Sequence, residues 1–194
     1  MDTAKPPASH PYPEDWLRAH HWARDLVNRN GWVILDTETT GLGDDAQAIE
    51  IAVVRHDGAM AFRSLIKPTI PIPAEATAIH GLGDQQVAGA RGFRDVYATL
   101  DRTLSGNRAV ICYNAPYDLR ILMQTARAHG LAWRVPGKWQ CAMQQYSVYA
   151  GEWSEQHGNY RYQKLPRVPG LDTHRAVADC LATLALIRRM AEGR

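Results

Sequence analysis

Trp32-Val33-Ile34-Leu35-Asp36-Thr37-Glu38-Thr39-Thr40-Gly41-Leu42 carries four apolar residues straight into two carboxylates separated by one residue. A short, continuous apolar run of this kind predicts a buried central strand. Side chains alternate along a strand, so Asp36 and Glu38 point to the same face. Two anions side by side repel and are costly near a core. Either the strand ends there and water solvates them, or a cation neutralises them. Gly41 and Gly43 predict a turn that carries Leu42 outward.

Outward from this stretch, the chain alternates strands with helices. Residues 48–56 and 59–66 read as two further strands, and Asp57-Gly58 between them is a strong hairpin signal. Glu50, inside the first of these, reads as a structural or edge carboxylate rather than a ligand. Pro68, Pro71 and Pro73 force 67–74 into a loop. Ala78-Ile79-His80-Gly81-Leu82 follows, then a short helix capped by Asp84, then a helix over 92–104. A fourth apolar strand, 108–113, runs into Asn114-Ala115-Pro116-Tyr117-Asp118. Pro116 suits a helix start, which puts Asp118 in a first turn at the carboxyl end of a strand. Active-site groups of open α/β sheets gather at such positions. Residues 135–143 hold a fifth short strand, followed by a helix ending near Gly151. The polar, aromatic segment 152–170 reads as irregular, and Asp172 or Thr173 as the cap of a last helix to about Ala191.

A chain of 194 residues suits one domain. The expected division is a flexible arm over 1–13 and a single domain over 14–194, with a helix over 14–30 packed on it. Trp16, Leu17, His20, Ala23, Leu26 and Val27 form a stripe that docks that helix on the core. No apolar run approaches a membrane span, and no secretory signal opens the chain. Cys112, Cys141 and Cys180 are odd in number and widely spaced, which suggests neither a disulfide framework nor a zinc site. A reduced, cytoplasmic setting and no membrane partner are expected. Residues 1–99 hold 9 Lys+Arg against 13 Asp+Glu, and 100–194 hold 13 against 7, so the halves carry −4 and +6. The basic half suits phosphate contacts or ordinary solvated helix faces.

Near the start of the last helix stands His174-Arg175-Ala176-Val177-Ala178-Asp179. Five helical positions separate two side chains by about 140°, so His174 and Asp179 border one site only if His174 sits at the lip of the helix. Asp36, Glu38, Asp118 and Asp179 supply hard oxygen ligands without a matching cluster of thiolates or imidazoles. Such a set suits Mg²⁺ or Mn²⁺. Four carboxylates around two divalent ions suit phosphodiester hydrolysis, and a neutral His can take the proton from water.

These three segments resemble, in order and spacing, the three motifs of the DEDDh 3′–5′ exonucleases. That family includes proofreading exonucleases, ribonuclease T and oligoribonuclease. The resemblance covers about residues 31–190. A sister group has Tyr four before the last Asp, where this chain has Arg175. The resemblance implies an α/β, ribonuclease-H-like fold: a mixed five-stranded sheet flanked by helices. It implies that Asp36 bridges two metals, that Glu38 and Asp179 complete one site, that Asp118 holds the other, and that His174 is general base. Thr39, Leu42, His80 and Asn114 match the substrate side, with Leu42 as an apolar wedge against the terminal base. For His80 a structural hydrogen bond is the alternative, and for the other three turn and packing chemistry.

Two departures stand out. Tyr117 occupies a position where relatives often have Phe, and 164–170 is short where they often place another helix. Trp153, Tyr160 and Tyr162 interleave with Arg161, Lys164 and Arg167, as in a single-strand groove or a loop pinned by its aromatics. The expected activity is metal-dependent 3′–5′ hydrolysis of single-stranded nucleic acid, DNA before RNA, releasing nucleoside 5′-monophosphates. The alternatives are an exoribonuclease of the ribonuclease T or oligoribonuclease kind, a polymerase-associated proofreading subunit, and a non-catalytic nucleic-acid-binding domain. The sequence leaves a homodimer or polymerase partner open.

Overall fold

A computed structural model describes residues 4–171 and 174–193. The central strand is β1 (Trp32–Thr39), with β2 (Ala48–Arg55) and β3 (Met60–Leu65) antiparallel on one side. On the other side β4 (Ala109–Cys112) and β5 (Trp139–Cys141) run parallel to it. The order β3-β2-β1-β4-β5 makes the mixed five-stranded sheet that the resemblance implies. β1 is buried on both faces, which is why it reads as a continuous apolar run.

The alternation of β1 splits the core in two. Val33 and Leu35, with Ile51 and Val53, pack against Phe93, Val96 and Leu100 of α4 (Phe93–Ser105) and Ile121 and Leu122 of α5 (Ala115–Ala128). Trp32 and Ile34, with Ala52 and Val54, pack against Trp16, Ala19 and Ala23 of α1 (Pro13–Val27) and Cys180, Leu184 and Ile187 of α7 (Ala176–Ala191). Each such fully buried aliphatic side chain contributes about 1.5–3 kcal/mol. Asp36 and Glu38 continue the second face, so the strand delivers them towards α7.

Several local expectations are corrected. A helix not foreseen, α2 (Ala74–His80), follows the proline loop, with Pro73 at its N-cap and Gly81 closing it in the left-handed region at φ 73°. Pro73 ends the loop because its fixed φ is compatible with a helix entry. The short helix α3 (Asp84–Val87) is capped by Gly83, not Asp84; Asp84 instead accepts the Ile72 N–H through Oδ1. After α6 (Ala142–Ala150), the segment read as irregular holds a small hairpin of β6 (Trp153–Ser154) and β7 (Asn159–Tyr160). Helix α1 stops at Val27, before Asn30. Glu50 lies on an interior strand, not an edge. The expected cap residues Asp172 and Thr173 lie outside the described residues, and Arg175 holds the N-cap position of α7.

In the segment expected to be a flexible arm, His10 is buried and its Nε2 pairs with the Val148 carbonyl at 2.7 Å. Gly151, at φ 75°, lies so close that a Cβ there would collide with the His10 ring. The three cysteines are free and buried. Among the described residues, no helix is long and apolar enough to cross a membrane.

Candidate active site

The carboxyl end of β1 meets the N-terminal ends of α5 and α7, and their acidic residues converge there. Ligand-capable oxygens of Asp36, Glu38 and Asp179 lie within 4.8 Å of one another. Asp118, in the first turn of α5, is buried and accepts a 2.9 Å hydrogen bond from Thr37 Oγ1. Thr37 points to the α5 face while its neighbours point to the α7 face, so one strand end serves both helices. All four carboxylates and His174 border one cavity of about 490 Å³.

Burial and mutual repulsion dominate the electrostatics. Burial raises the Asp36 carboxyl well above its usual range, and Asp118, Asp179 and Glu38 add to it. Burial, then Asp179 and Glu50, push Glu38 up to about 7. Burial also pushes Asp118 up to about 7, against the hydrogen bond from Thr37. Asp179 is raised by burial, with His174 partly offsetting it. Glu38 Oε1 is buried with no hydrogen-bond partner. An orphaned carboxylate oxygen among like charges, with oxygen the only ligand type, fits a hard divalent cation.

His174 stands two residues before α7, exposed, with φ 59°. Among the described residues it is the one non-glycine with positive φ. That places it at the lip, the arrangement in which it can share a site with Asp179. The next residue, Arg175, is anchored firmly. Its Nε and Nη2 reach the two oxygens of Glu50 at 2.9 and 3.0 Å, and Arg63 donates two more hydrogen bonds to Oε1. Burial pushes the Glu50 carboxyl up, but the two guanidinium groups outweigh it and hold it below the usual range. Glu50 therefore ties the start of α7 to the sheet. Counting the hairpin register back from Asp57-Gly58 places Arg63 diagonal to Glu50, a signal available in sequence; the reach of Arg175 is not.

The residues matched to the substrate side border a second cavity of about 550 Å³. Leu42, 78% exposed, and Ile79, 61% exposed, both line it. Asn114, at the N-cap of α5, borders both cavities. Thr39 is buried, its hydroxyl bonded to the Gly41 carbonyl at 2.9 Å and to the Tyr117 hydroxyl at 2.7 Å. His80 is buried; Nε2 donates to the Thr39 carbonyl at 3.1 Å and Nδ1 accepts from the Leu82 N–H at 3.1 Å. Both ring nitrogens are thus committed to backbone, and burial lowers the pKa of the ring. The structural alternative for His80 is the one seen. Sequence reasoning missed the stripe of α5 that holds the Leu42 turn: Tyr117 Oη donates to the Gly41 carbonyl, Arg120 to those of Leu42 and Gly43, and Gln124 to that of Gly43. Spacing of three and four places these donors on one helix face.

Comparison with known proteins agrees with this arrangement. Residues 33–187 match the RNase_T family model, described as exonuclease. The chain is 38% identical over 188 residues to the uncharacterized exonuclease CP81 of Escherichia phage 186, covering 91% of this chain and 93% of that protein. It is 30% identical over 158 residues to exodeoxyribonuclease 10 of Escherichia coli K12, covering 79% and 66%. Among solved structures, exonuclease X in complex with 5′ overhanging duplex DNA superposes with a TM-score of 0.58 at 27% identity, covering 83% of this chain and 91% of that one. A family match over most of the length, with a relative covered almost end to end, means that this chain belongs to the RNase_T exonuclease family.

Proposed function

We propose that the chain is a metal-dependent exonuclease that removes nucleoside 5′-monophosphates from the 3′ end of single-stranded DNA. The observation that carries this reading is the convergence of Asp36, Glu38 and Asp179 within 4.8 Å, beside a buried Asp118. Two of the named relatives, an exodeoxyribonuclease and an exonuclease solved in complex with DNA, favour DNA over RNA.

In this reading Asp36, Glu38 and Asp179 would hold one divalent ion, Mg²⁺ or Mn²⁺, and Asp118 together with Asp36 would hold a second. When bound, such ions supply the Lewis acidity that lowers the pKa of the attacking water and offset charge on the departing 3′ oxygen. His174 takes the proton from that water; its exposed place at the lip leaves the ring free to meet solvent and substrate together. A positive φ on a non-glycine residue is uncommon and clusters at functional sites, which supports the assignment. Leu42 and Ile79 offer the apolar walls on which the terminal base rests. Asn114 edges the boundary between base and phosphate. Thr39 and His80 act by fixing the shape of that wall.

The test is digestion of matched 5′-labelled single-stranded DNA and RNA oligomers with Mg²⁺, with Mn²⁺ or with EDTA, beside His174→Ala. A DNA ladder shortening from the 3′ end, abolished by EDTA and by the substitution, is the expected result. Faster RNA digestion would move the assignment to an exoribonuclease. Binding without cleavage in either metal would overturn the catalytic reading.

A further inference from the structure

Beyond the carboxylates, one wall of the cavity is a strap that carries part of the interleaved aromatic and basic stretch of the sequence. Residues 161–171 leave the β6–β7 hairpin and cross to the start of the His174 segment. The strap is tied at its near end: the Arg161 N–H donates to the Glu152 carbonyl at 2.8 Å, and the Tyr113 hydroxyl donates to that of Gln163. Lys164, Leu165, Pro166 and Arg167 form part of the wall of the carboxylate cavity. Lys164, Leu165 and Pro166 also border a second cleft of about 1020 Å³ against the hairpin. The two clefts therefore share the strap as a common wall.

Of the aromatics in this region, two are spoken for. Trp153 and Tyr160 stack edge-on with each other and with Tyr12, and the Tyr160 hydroxyl donates to Asp15 at 2.7 Å. They pin the hairpin to the N-terminal segment. Tyr162 takes no part in that cluster and is 68% exposed on the second cleft. Arg161, Lys164 and Arg167 are exposed, and among the described residues none of their side chains is in an ion pair. Lys164 and Arg167 thus stand on the roof of a cavity floored by four carboxylates without closing onto them.

We propose that this strap is the subsite for the single strand on the 5′ side of the scissile bond, with Lys164 and Arg167 contacting its phosphates and Tyr162 stacking on a base. The inference rests on the exonuclease reading above. An exonuclease holds one nucleotide beyond the cut and many before it. The cavity edged by Leu42 and Ile79 suits the one, and the two clefts that adjoin the strap suit the many. A polyanion entering over a carboxylate floor needs cations opposite, and free cations beside an exposed aromatic ring are the combination that tracks single strands without reading sequence.

The test compares the full-length protein with Lys164→Ala/Arg167→Ala and with Tyr162→Ala, on two substrates. One is a single-stranded DNA oligomer of about 20 nucleotides; the other is the p-nitrophenyl ester of thymidine 5′-monophosphate, which has no upstream strand. The double variant is expected to raise KM for the oligomer roughly tenfold and to flatten the salt dependence of binding by about 0.7 in log–log slope per cation removed. Tyr162→Ala is expected to raise the same KM about fivefold, the low end for one lost stacking contact. Turnover of the ester is expected to stay at the wild-type level in all variants. Unchanged oligomer KM and salt slope would overturn the proposal. So would an equal loss on both substrates, which would mean that the strap only holds the cavity in shape. Failure of the wild type to hydrolyse either substrate would instead overturn the exonuclease reading; fluorescence anisotropy of the labelled oligomer would then still read the strap, standing if the double variant loses binding and falling if it does not.

Discussion

Glu38 and Glu50 face each other across the β1–β2 ladder, both buried, and their chemistry is opposite. Glu50 is clamped by Arg63 and Arg175 and held ionised. Glu38 has an unpartnered oxygen, sees Asp36 and Asp179, and is pushed up to about 7. Burial is common to the two, so burial does not separate a structural carboxylate from a functional one. The nearest counter-charge does: where the protein supplies guanidinium groups the carboxylate is part of the scaffold, and where it withholds them the carboxylates stand bare, as the proposed cation site requires.

That contrast predicts that substitutions on the two sides fail in different ways. The largest effect belongs to Asp36→Asn, expected to cut nucleolytic turnover by at least about 1000-fold, roughly 4 kcal/mol of barrier. The same change should raise the thermal midpoint of the metal-free protein, because it removes one of several repelling charges. Residual turnover near wild type, or a lower midpoint, would break the contrast.

Glu50→Ala should do the reverse, destabilising the fold by about 3 kcal/mol in denaturant melts, the low end for a broken buried pair because both arginines are partly exposed. Loss of activity should follow loss of folded protein, and a melt unchanged from wild type would count against the clamp.

The pH dependence sharpens the comparison further. Glu38 has a folded pKa above its unfolded value, so the native state holds more protons between about 4.5 and 7 and stability falls as pH rises through that window. Glu50 has a lowered folded pKa, so its contribution is present above the ordinary carboxylate range and is lost as pH falls below it. His80, with its lowered pKa, opposes the Glu38 trend below about 6.5. Glu38→Gln removes the first contribution and relieves part of the repulsion on Asp36, and leaves those of Glu50 and His80 in place. The midpoint difference between this variant and the wild type, measured without metal, should grow in favour of the variant from pH 5 to pH 8. A difference that stays constant would show that Glu38 titrates normally.

The smallest effect is expected at Tyr117→Phe, which keeps the ring and deletes one hydroxyl. It removes the hydroxyl bonds to Thr39 and Gly41 and should cost about 1 kcal/mol of stability. If the Leu42 turn depends on that bond, KM should rise with kcat nearly unchanged; a fall in kcat alone would place Tyr117 nearer the chemistry.

Much of this molecule is legible in one dimension. The apolar run into Asp36 and Glu38 specifies a buried strand and a shared face by period-two alternation alone. Asp57-Gly58 specifies the hairpin, and Pro116 the start of α5 with Asp118 in its first turn. These features rest on local periodicity and turn chemistry, whose range is a few residues. Helix α2 was hidden because seven residues after three prolines carry too little periodicity to outweigh them. His80 stayed ambiguous because a histidine's two nitrogens declare their roles only through partners, here Thr39 and Leu82.

What the sequence by itself determined is the strand that carries the acidic pair, the order of the elements, and the inventory of carboxylates. Tertiary structure alone decided which carboxylates stand bare and which are neutralised. Glu50 lies 125 residues from the arginine that clamps it, and Asp36 meets Asp179 only because α7 folds back on β1. Charge interactions act through space and depend on distances that chain order does not encode, so two glutamates in similar strand contexts become a clamped brace and a bare carboxylate only once the sheet has been assembled.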